Sequence, residues 1–231
     1  MNEFIISVLA SSFLLLDTTY IGQFLLSQPV VMIPLLSCIT RDPQIALKTA
    51  VNLELVFLGR LAVGASIPPS AGFAAAVFWS GYVLLGNSSV TALVLLFFCA
   101  MIAAYWGRAL EILIRTANEP LSRWSFYSYA KSLQRWKFYR GGFLSIIGTY
   151  FLYVVNIAVL GFGASKITGM CITVCGSIEM FYRPTMQFFW DALPVISVLF
   201  LLDRFMEKGR ARFFYYGALG GILGGILNWI L

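Results

Sequence analysis

Three charged residues lie within one apolar stretch, and they are the strongest candidates for chemistry in this sequence. Glu54 follows Leu53 and precedes the apolar residues 55–58, with Lys48 six positions before it and Arg60 six positions after it. A charge at the centre of a bilayer costs roughly 2.5–3.5 kcal/mol on insertion scales. We therefore expect these side chains to face protein, water or a ligand. A carboxylate in such a place can accept strong hydrogen bonds from a polar ligand.

A continuous helix cannot turn all three charges to one face. At about 100° per residue, and with Lys48 at zero, Asn52 falls at about 40°, Arg60 at about 120° and Glu54 at about 240°. The segment is therefore predicted to be surrounded by protein or to be interrupted, and both outcomes fit a binding site. An ion pair between Glu54 and a cation elsewhere is an alternative that is compatible with such a site. Downstream, Pro68-Pro69 ends any helix and predicts a turn.

Other charges in apolar segments are predicted to form pairs. Arg108 and Glu111 are three residues apart, which is typical of an ion pair on a helix near the membrane surface. Asp191 is either a second carboxylate of the site or the partner of Lys166 or Arg183.

The composition predicts an all-α polytopic membrane protein with a single domain over residues 1–231. Hydrophobic residues make up 60% of the chain and charged residues 11%, where soluble domains have about 25%. We expect roughly six to nine hydrophobic segments, several of them short or broken by Pro and Gly, as in re-entrant hairpins. The candidate segments are 4–16, 21–38, 45–63, 72–85, 90–113, 143–163, 167–180, 188–202 and 213–231.

The net charge of +6 comes largely from two basic stretches, 115–140 and 204–212. Basic loops between membrane spans stay on the cytoplasmic side, so both stretches are predicted to be cytoplasmic. The first stretch also carries Trp and Tyr residues, a composition that predicts an amphipathic helix lying on the membrane surface. A nucleic-acid groove uses similar residues, but a chain this apolar argues against nucleic acid as a partner.

The sequence offers few groups for catalysis or metal binding. It contains no histidine, which removes the commonest metal ligand and general base. The four cysteines have no metal-site spacing, so we expect neither a metal nor a cofactor. A membrane enzyme using carboxylates as acid and base remains an alternative, although no nucleophile motif supports it. The carboxylates in question are Asp42, Glu54, Glu111 and Asp191.

The spacing of several residues around Glu54 resembles a known family, the membrane-embedded IIC component of the mannose/fructose/sorbose branch of the bacterial phosphotransferase system. The family shows an Arg-Pro, a Gly-Asp, a Leu-Glu-Leu/Met with a Gly five residues after the Glu, and then an Ile-Gly-Ala followed by Pro-Asp. The resemblance is good over residues 16–75 and needs no gap between Pro29 and Pro69. The corresponding residues here are Leu16-Asp17, Gln28-Pro29, Arg41-Asp42, Leu53-Glu54-Leu55, Gly59, Val63-Gly64-Ala65 and Pro69-Ser70.

The resemblance implies a sugar-binding and translocating subunit that moves a hexose across the bacterial inner membrane. It implies a IID-like membrane subunit and soluble IIA and IIB components as partners, in a homo- or hetero-oligomer within the lipid bilayer. Phosphate travels on IIA and IIB, so this subunit is not expected to be an enzyme by itself. By this resemblance the substrate-binding residues are Glu54, Asp42, Asn52, Ser70, Gly59 and Gly64.

The sequence departs from the family pattern at four positions. Gln28 replaces Arg, Arg41 replaces Gly, Ser70 replaces Asp, and Lys48 stands where the family is apolar or small. The alternative interpretation is therefore a divergent, non-transporting subunit that keeps the fold and binds a partner protein. Glycines spaced by four in the last segment, 213–231, favour a close helix contact that such a subunit could use.

Overall fold

The computed structural model describes residues 1–20, 22–40, 42–58, 67–86, 89–132, 135–175 and 179–205. These residues form α-helices joined by turns and one short 3-10 turn at Leu16–Thr18, with no strand among them. The prediction of an all-α membrane protein is confirmed. The helices are α1 (Asn2–Leu15), α2 (Pro29–Thr40), α3 (Pro43–Leu58), α4 (Ala71–Leu85), α5 (Val90–Ser132), α6 (Arg135–Cys175) and α7 (Glu179–Phe205).

Proline and glycine determine several helix ends. Pro29 and Pro43 are the first residues of α2 and α3, a position where the missing N–H costs no helical hydrogen bond. Pro68 and Pro69 precede α4, and Ser70 is its extended N-terminal cap. Gly86 ends α4 in the left-handed conformation, with φ at 62°, and its N–H donates to the carbonyl of Tyr82.

Helix α4 is the centre of the core. Every residue from Gly72 to Tyr82 is buried, and α4 packs against α1, α2, α5 and α6. Its crossing with α6 is close, because a Cβ atom on Gly161 would lie 3.0 Å from the Cβ of Ser80. Helix α3 lies beside α2 and also packs against α7. Two of the three charges, Lys48 and Glu54, are thus on a helix that is held between other helices.

Helices α5 and α6 form a long antiparallel hairpin. They contain 43 and 41 residues, which corresponds to about 65 Å and 62 Å at 1.5 Å per residue. Both are long and apolar enough to cross a membrane, over Val90–Ala130 and Tyr139–Val174. Helices α2 and α4 are apolar but shorter. The hairpin therefore exceeds the hydrocarbon thickness of about 30 Å by a wide margin.

The structure changes three of the predicted boundaries. The segment predicted over 21–38 begins only at Pro29, because residues 22–28 form a loop. The segments predicted over 143–163 and 167–180 are joined, since α6 runs unbroken from Arg135 to Cys175. The aromatic and basic stretch is not a separate surface helix but the distal part of α5 and the start of α6. Residues 206–231, with the last apolar segment and most of the 204–212 basic stretch, lie outside the described residues.

Candidate functional site

Glu54 is on α3, and its carboxylate lies against the first turn of the neighbouring helix α2. Its side chain is half-buried, and one carboxylate oxygen accepts a hydrogen bond of 3.3 Å from the backbone N–H of Val30. The first N–H groups of a helix have no partner within the helix, and the helix dipole favours negative charge there. The charge in the apolar stretch of α3 is thus stabilised by the start of a neighbouring helix, and Glu54 forms no ion pair within the described part of the chain.

A second carboxylate, that of Glu111 on α5, lies near the start of α4. Ser70 donates its backbone N–H to the carbonyl of Ala104 over 3.0 Å, and its hydroxyl forms a hydrogen bond with the carboxylate of Glu111. Arg115 supplies the positive charge beside Glu111. The predicted Arg108–Glu111 ion pair is not formed, and the carboxylate of Glu111 interacts instead with Ser70 on α4 and with the more distant charge of Arg115.

The two helix starts approach each other through the segment that leads into α2. A Cβ atom on Gly72 would lie only 2.3 Å from the carbonyl oxygen of Ser27, so only glycine permits this contact. Ser27 is three residues before Val30, which binds Glu54. Gly72 is two residues after Ser70, which binds Glu111. The structure therefore brings Glu54 and Ser70 to opposite sides of residues 27–30.

Asp17 organises the loop before α2, a role that the sequence did not assign to it. The residue is buried, and its two carboxylate oxygens accept hydrogen bonds of 2.8 Å each from the N–H groups of Phe24 and Leu26. These bonds hold Gln23 and Leu25 at positive φ values of 60° and 65°, which are costly for residues with a side chain. The Leu16-Asp17 match to the family was the one signal in the sequence that pointed to this residue.

Asp42 is separated from Glu54. It is exposed and accepts a hydrogen bond of 2.8 Å from the hydroxyl of Tyr82 on α4. It precedes α3 and lies twelve residues from Glu54, which is about 18 Å along the helix at 1.5 Å per residue. The helix therefore holds the two carboxylates at its opposite ends, and the assignment of both to substrate binding stays a prediction.

Asn52 is fully buried and points away from Glu54. The two residues are two positions apart on α3, which turns their side chains about 200° from each other. Both amide atoms of Asn52 are without a hydrogen-bond partner among the described residues. Gly59 and Gly64, the other predicted site residues, fall with Arg41 and Arg60 outside the part of the chain that the structure describes.

Lys48 pairs with Asp191 and so links α3 to α7. The ammonium group bonds to one carboxylate oxygen, and the side-chain amide of Gln187 donates to the other over 2.7 Å. Both charged side chains are about half exposed, at 43% and 48%. The predicted partners of Asp191, Lys166 and Arg183, are not the ones it contacts. The charge of Lys48 is therefore neutralised by Asp191 and not by Glu54.

The arrangement around residues 27–30 can bind a polar, uncharged ligand. The first turn of α4 has no side-chain cap and supplies N–H donors, and Glu54 and Glu111 supply carboxylate acceptors. Such a set matches a compound with several hydroxyl groups, each of which donates and accepts. Within the described residues, no group of three or more His, Cys, Asp or Glu side chains could hold a metal ion.

Comparisons with known proteins identify the family and the fold of the chain. The family described as the sorbose-specific IIC component of the PTS system (EII-Sor) matches residues 1–222. A solved structure described as "Structure of membrane protein" is 19% identical, with 99% of this chain and 94% of that chain covered and a TM-score of 0.63. A structure of the mannose transporter ManYZ with microcin E492 is 17% identical, with 99% and 92% covered and a TM-score of 0.51. No curated protein matches significantly.

Proposed function

The chain belongs to the family of sorbose-specific IIC components of the phosphotransferase system, and we propose that it is the subunit that binds a sugar and moves it across the membrane. It is a sugar-transporter component of that system. The proposed substrate is a hexose, which a IIB partner phosphorylates after translocation. The fold shared with the mannose transporter ManYZ supports this reading.

The observation that carries the proposal is the pair of carboxylates at two converging helix starts. Glu54 at α2 and Glu111 at α4 are acceptors for sugar hydroxyl groups. The backbone N–H groups of the first turn of α4 are candidate donors. Neutral sugars are recognised by many hydrogen bonds of this kind, and a low-dielectric site strengthens them. Glu54 and Ser70 are the predicted site residues that this arrangement retains, with Glu111 added to them.

The departures from the family pattern do not require loss of transport. The hydroxyl of Ser70 is hydrogen-bonded to Glu111, so a carboxylate stands beside the position where the family has Asp. The charge of Lys48 is matched by Asp191 and leaves Glu54 free of an ion pair with it. These contacts favour a transporting subunit over one that has kept only the fold.

We propose the partners that such a subunit needs. A IID-like membrane subunit completes the translocating unit, and soluble IIA and IIB components carry the phosphate, because this chain has no histidine to hold it. The unit is an oligomer in the inner membrane. Its basic stretches, 115–140 and 204–212, face the cytoplasm, where the soluble components act.

The test is sugar uptake in cells that express the chain with a complete set of partner components and lack other routes for hexoses. Glu54→Gln removes the charge but keeps an oxygen that accepts the Val30 N–H. We expect accumulation of the transported hexose to fall at least about tenfold, since a charge-assisted hydrogen bond contributes about 1.5–3 kcal/mol. Glu3→Gln is the matched control, because Glu3 is exposed on α1.

Two results would contradict the proposal in different ways. If wild-type protein is present in the membrane and no hexose accumulates, the chain is a non-transporting subunit. If uptake occurs and Glu54→Gln matches Glu3→Gln, the chain transports but the assignment of Glu54 is wrong. Asp42→Asn belongs in the same experiment, and we expect a smaller effect because Asp42 lies at the far end of α3.

A further inference from the structure

A cavity outside the Glu54 site lies between the distal part of α5 and the start of α6. Its volume is 550 Å³, and its walls include Tyr20 and side chains and backbone from both helices. One wall is polar: Tyr20 is hydrogen-bonded to Asn118 over 2.5 Å and to Ser145 over 2.6 Å. The lining also includes the apolar side chains of Phe143 and Ile146. A cavity lined by both polar and apolar groups suits an amphipathic ligand.

The sequence of the helices that carry the cavity is strongly basic. The stretch 115–140 contains six Lys and Arg residues and a single acidic residue, Glu119, which is occupied by Arg123 in an ion pair. Arg140 lies between Tyr139 and Gly141, both of which line the cavity. Its guanidinium group stacks over the Trp136 ring at 5.1 Å. The charge around the cavity therefore favours an anionic ligand.

An apolar surface continues from the cavity along α6. Phe143 lines the cavity, and Ile147 and Phe151 follow it at four-residue spacing on the same helix face. Their side chains are 66%, 49% and 66% exposed. Exposed Trp136 and Tyr139 lie at the opposite end, and such aromatic side chains concentrate at the membrane–water interface. This surface can take an acyl chain, which a free anion in solution does not have.

We propose that this cavity binds an anionic phospholipid with a hydroxyl-bearing headgroup, such as a phosphatidylglycerol. Arg140 holds the phosphate, the hydroxyl and amide groups around Tyr20 hold the glycerol headgroup, and an acyl chain lies along Phe143, Ile147 and Phe151. Basic pockets between helices at the cytoplasmic side bind such headgroups, and each nearby Lys or Arg adds about 1 kcal/mol of attraction. The proposal rests on the placement of the chain in a membrane and is independent of sugar transport.

Two glycines of α6 provide a matched pair of variants. A Cβ atom on Gly142 and one on Gly148 would each have no atom within 4 Å, and both glycines are exposed on the helix. Gly142 lines the cavity, whereas Gly148 does not. Gly142→Leu therefore fills the cavity, and Gly148→Leu adds the same side chain to the same helix elsewhere. Arg140→Gln and Arg183→Gln form a second pair, because Arg183 is an exposed cation on α7.

The experiment reconstitutes the purified protein, with any subunit that co-purifies, in nanodiscs of phosphatidylcholine with increasing phosphatidylglycerol. Lipids that remain bound after extraction into detergent are identified and counted by native mass spectrometry. We expect wild-type protein and Gly148→Leu to retain phosphatidylglycerol in preference to phosphatidylcholine, and Gly142→Leu to lose this preference. Arg140→Gln is expected to weaken retention about fivefold, the equivalent of about 1 kcal/mol, while Arg183→Gln is unchanged.

Several outcomes would overturn the proposal. One is equal retention of the two lipids by the wild-type protein. Another is an equal loss in Gly142→Leu and Gly148→Leu, or in Arg140→Gln and Arg183→Gln. Displacement of the lipid by soluble glycerol 3-phosphate would assign the cavity to a free anion. Because the wild-type preference is measured separately, the proposal stays testable even if a variant does not fold.

Discussion

At the scale of single residues, the charges of Asp17, Lys48 and Glu54 each have a specific polar partner. The carboxylate of Glu54 accepts the N–H of Val30, and the carboxylate of Asp17 accepts two N–H groups of the following loop. Lys48 is paired with Asp191. Charges within a bilayer are retained where they face partners or ligands. Glu54 differs from the others because its bond of 3.3 Å to Val30, the one found within the described residues, leaves acceptor capacity for a ligand.

Asn52 gives a prediction about stability and transport together. A buried amide without a partner carries a desolvation cost of roughly 1–3 kcal/mol, so Asn52→Leu is expected to raise the melting temperature in detergent. We expect hexose uptake to fall, because we propose that the unpaired amide of Asn52 forms hydrogen bonds in another state of the transport cycle. Thermal unfolding and uptake are measured on the same variant.

Thr49→Val is the control for Asn52→Leu. The hydroxyl of Thr49 is also buried on α3, and it too has no hydrogen-bond partner among the described residues. Removing it should raise the melting temperature and leave uptake unchanged. Normal uptake by Asn52→Leu would exclude Asn52 from the sugar pathway.

The sequence singled out Glu54 as a candidate but did not reveal its hydrogen-bond partner. The motif residues between Pro29 and Pro69 follow one another closely in the sequence, so their spacing was enough to single out Glu54. The partners were not predictable: Val30 contributes a backbone N–H, which any residue other than proline has. Glu111 was assigned to the membrane surface because its ion-pair spacing with Arg108 is a local pattern. Its contact with Ser70 depends on how α4 packs against α5.

At the scale of elements, helix identity was predictable and helix boundaries were less so. Hydropathy placed α4 and α7 near their observed positions, since an apolar run of that length favours a helix. The hydropathy pattern began α2 eight residues too early, because the loop 22–28 also contains apolar side chains. This loop is held by Asp17, which lies several residues before it in the sequence. The hydropathy pattern also divided α6 near Lys166, although one charge at a helix surface does not interrupt the backbone hydrogen bonds.

The contact between α3 and α7 gives the prediction at this scale. Lys48→Ala and Asp191→Ala should each lower the melting temperature, because each removes the half-exposed ion pair that joins α3 to α7. The double charge reversal, Lys48→Asp with Asp191→Lys, should recover more than half of the loss. Unfolding is followed in detergent for the three variants. Arg123→Ala is the control, since Arg123 pairs with Glu119 on an exposed helix face, where such pairs contribute little.

Equal damage in the double reversal and in the single variants would mean that each charge acts separately. In that case Asp191 does not position α7, and the link between α3 and α7 is made by apolar packing alone. Recovery of stability without recovery of uptake would assign the pair to the transport cycle as well.

At the scale of the whole molecule, the α5–α6 hairpin sets the relation between the core and the membrane. The core around α4 is covered on one side by this hairpin, whose middle carries exposed apolar side chains that suit lipid. Its distal end carries the basic and aromatic residues of 115–140. Since the helices are about twice as long as the hydrocarbon layer is thick, that end must emerge from the bilayer or bend along its surface, and its basic charge favours the cytoplasmic side.

Cysteine labelling tests this placement of the hairpin. In a background with the four native cysteines replaced by alanine, single cysteines are introduced at Tyr127 and Val159, which are 74% and 64% exposed. A membrane-impermeant maleimide should label Tyr127→Cys in inverted vesicles and not in intact cells. Val159→Cys should react in neither, because it lies in the middle of the α6 span and faces lipid. Labelling of Tyr127→Cys in intact cells would reverse the orientation, and reaction of Val159→Cys with water-soluble reagent would mean that this face of α6 lines an aqueous path instead.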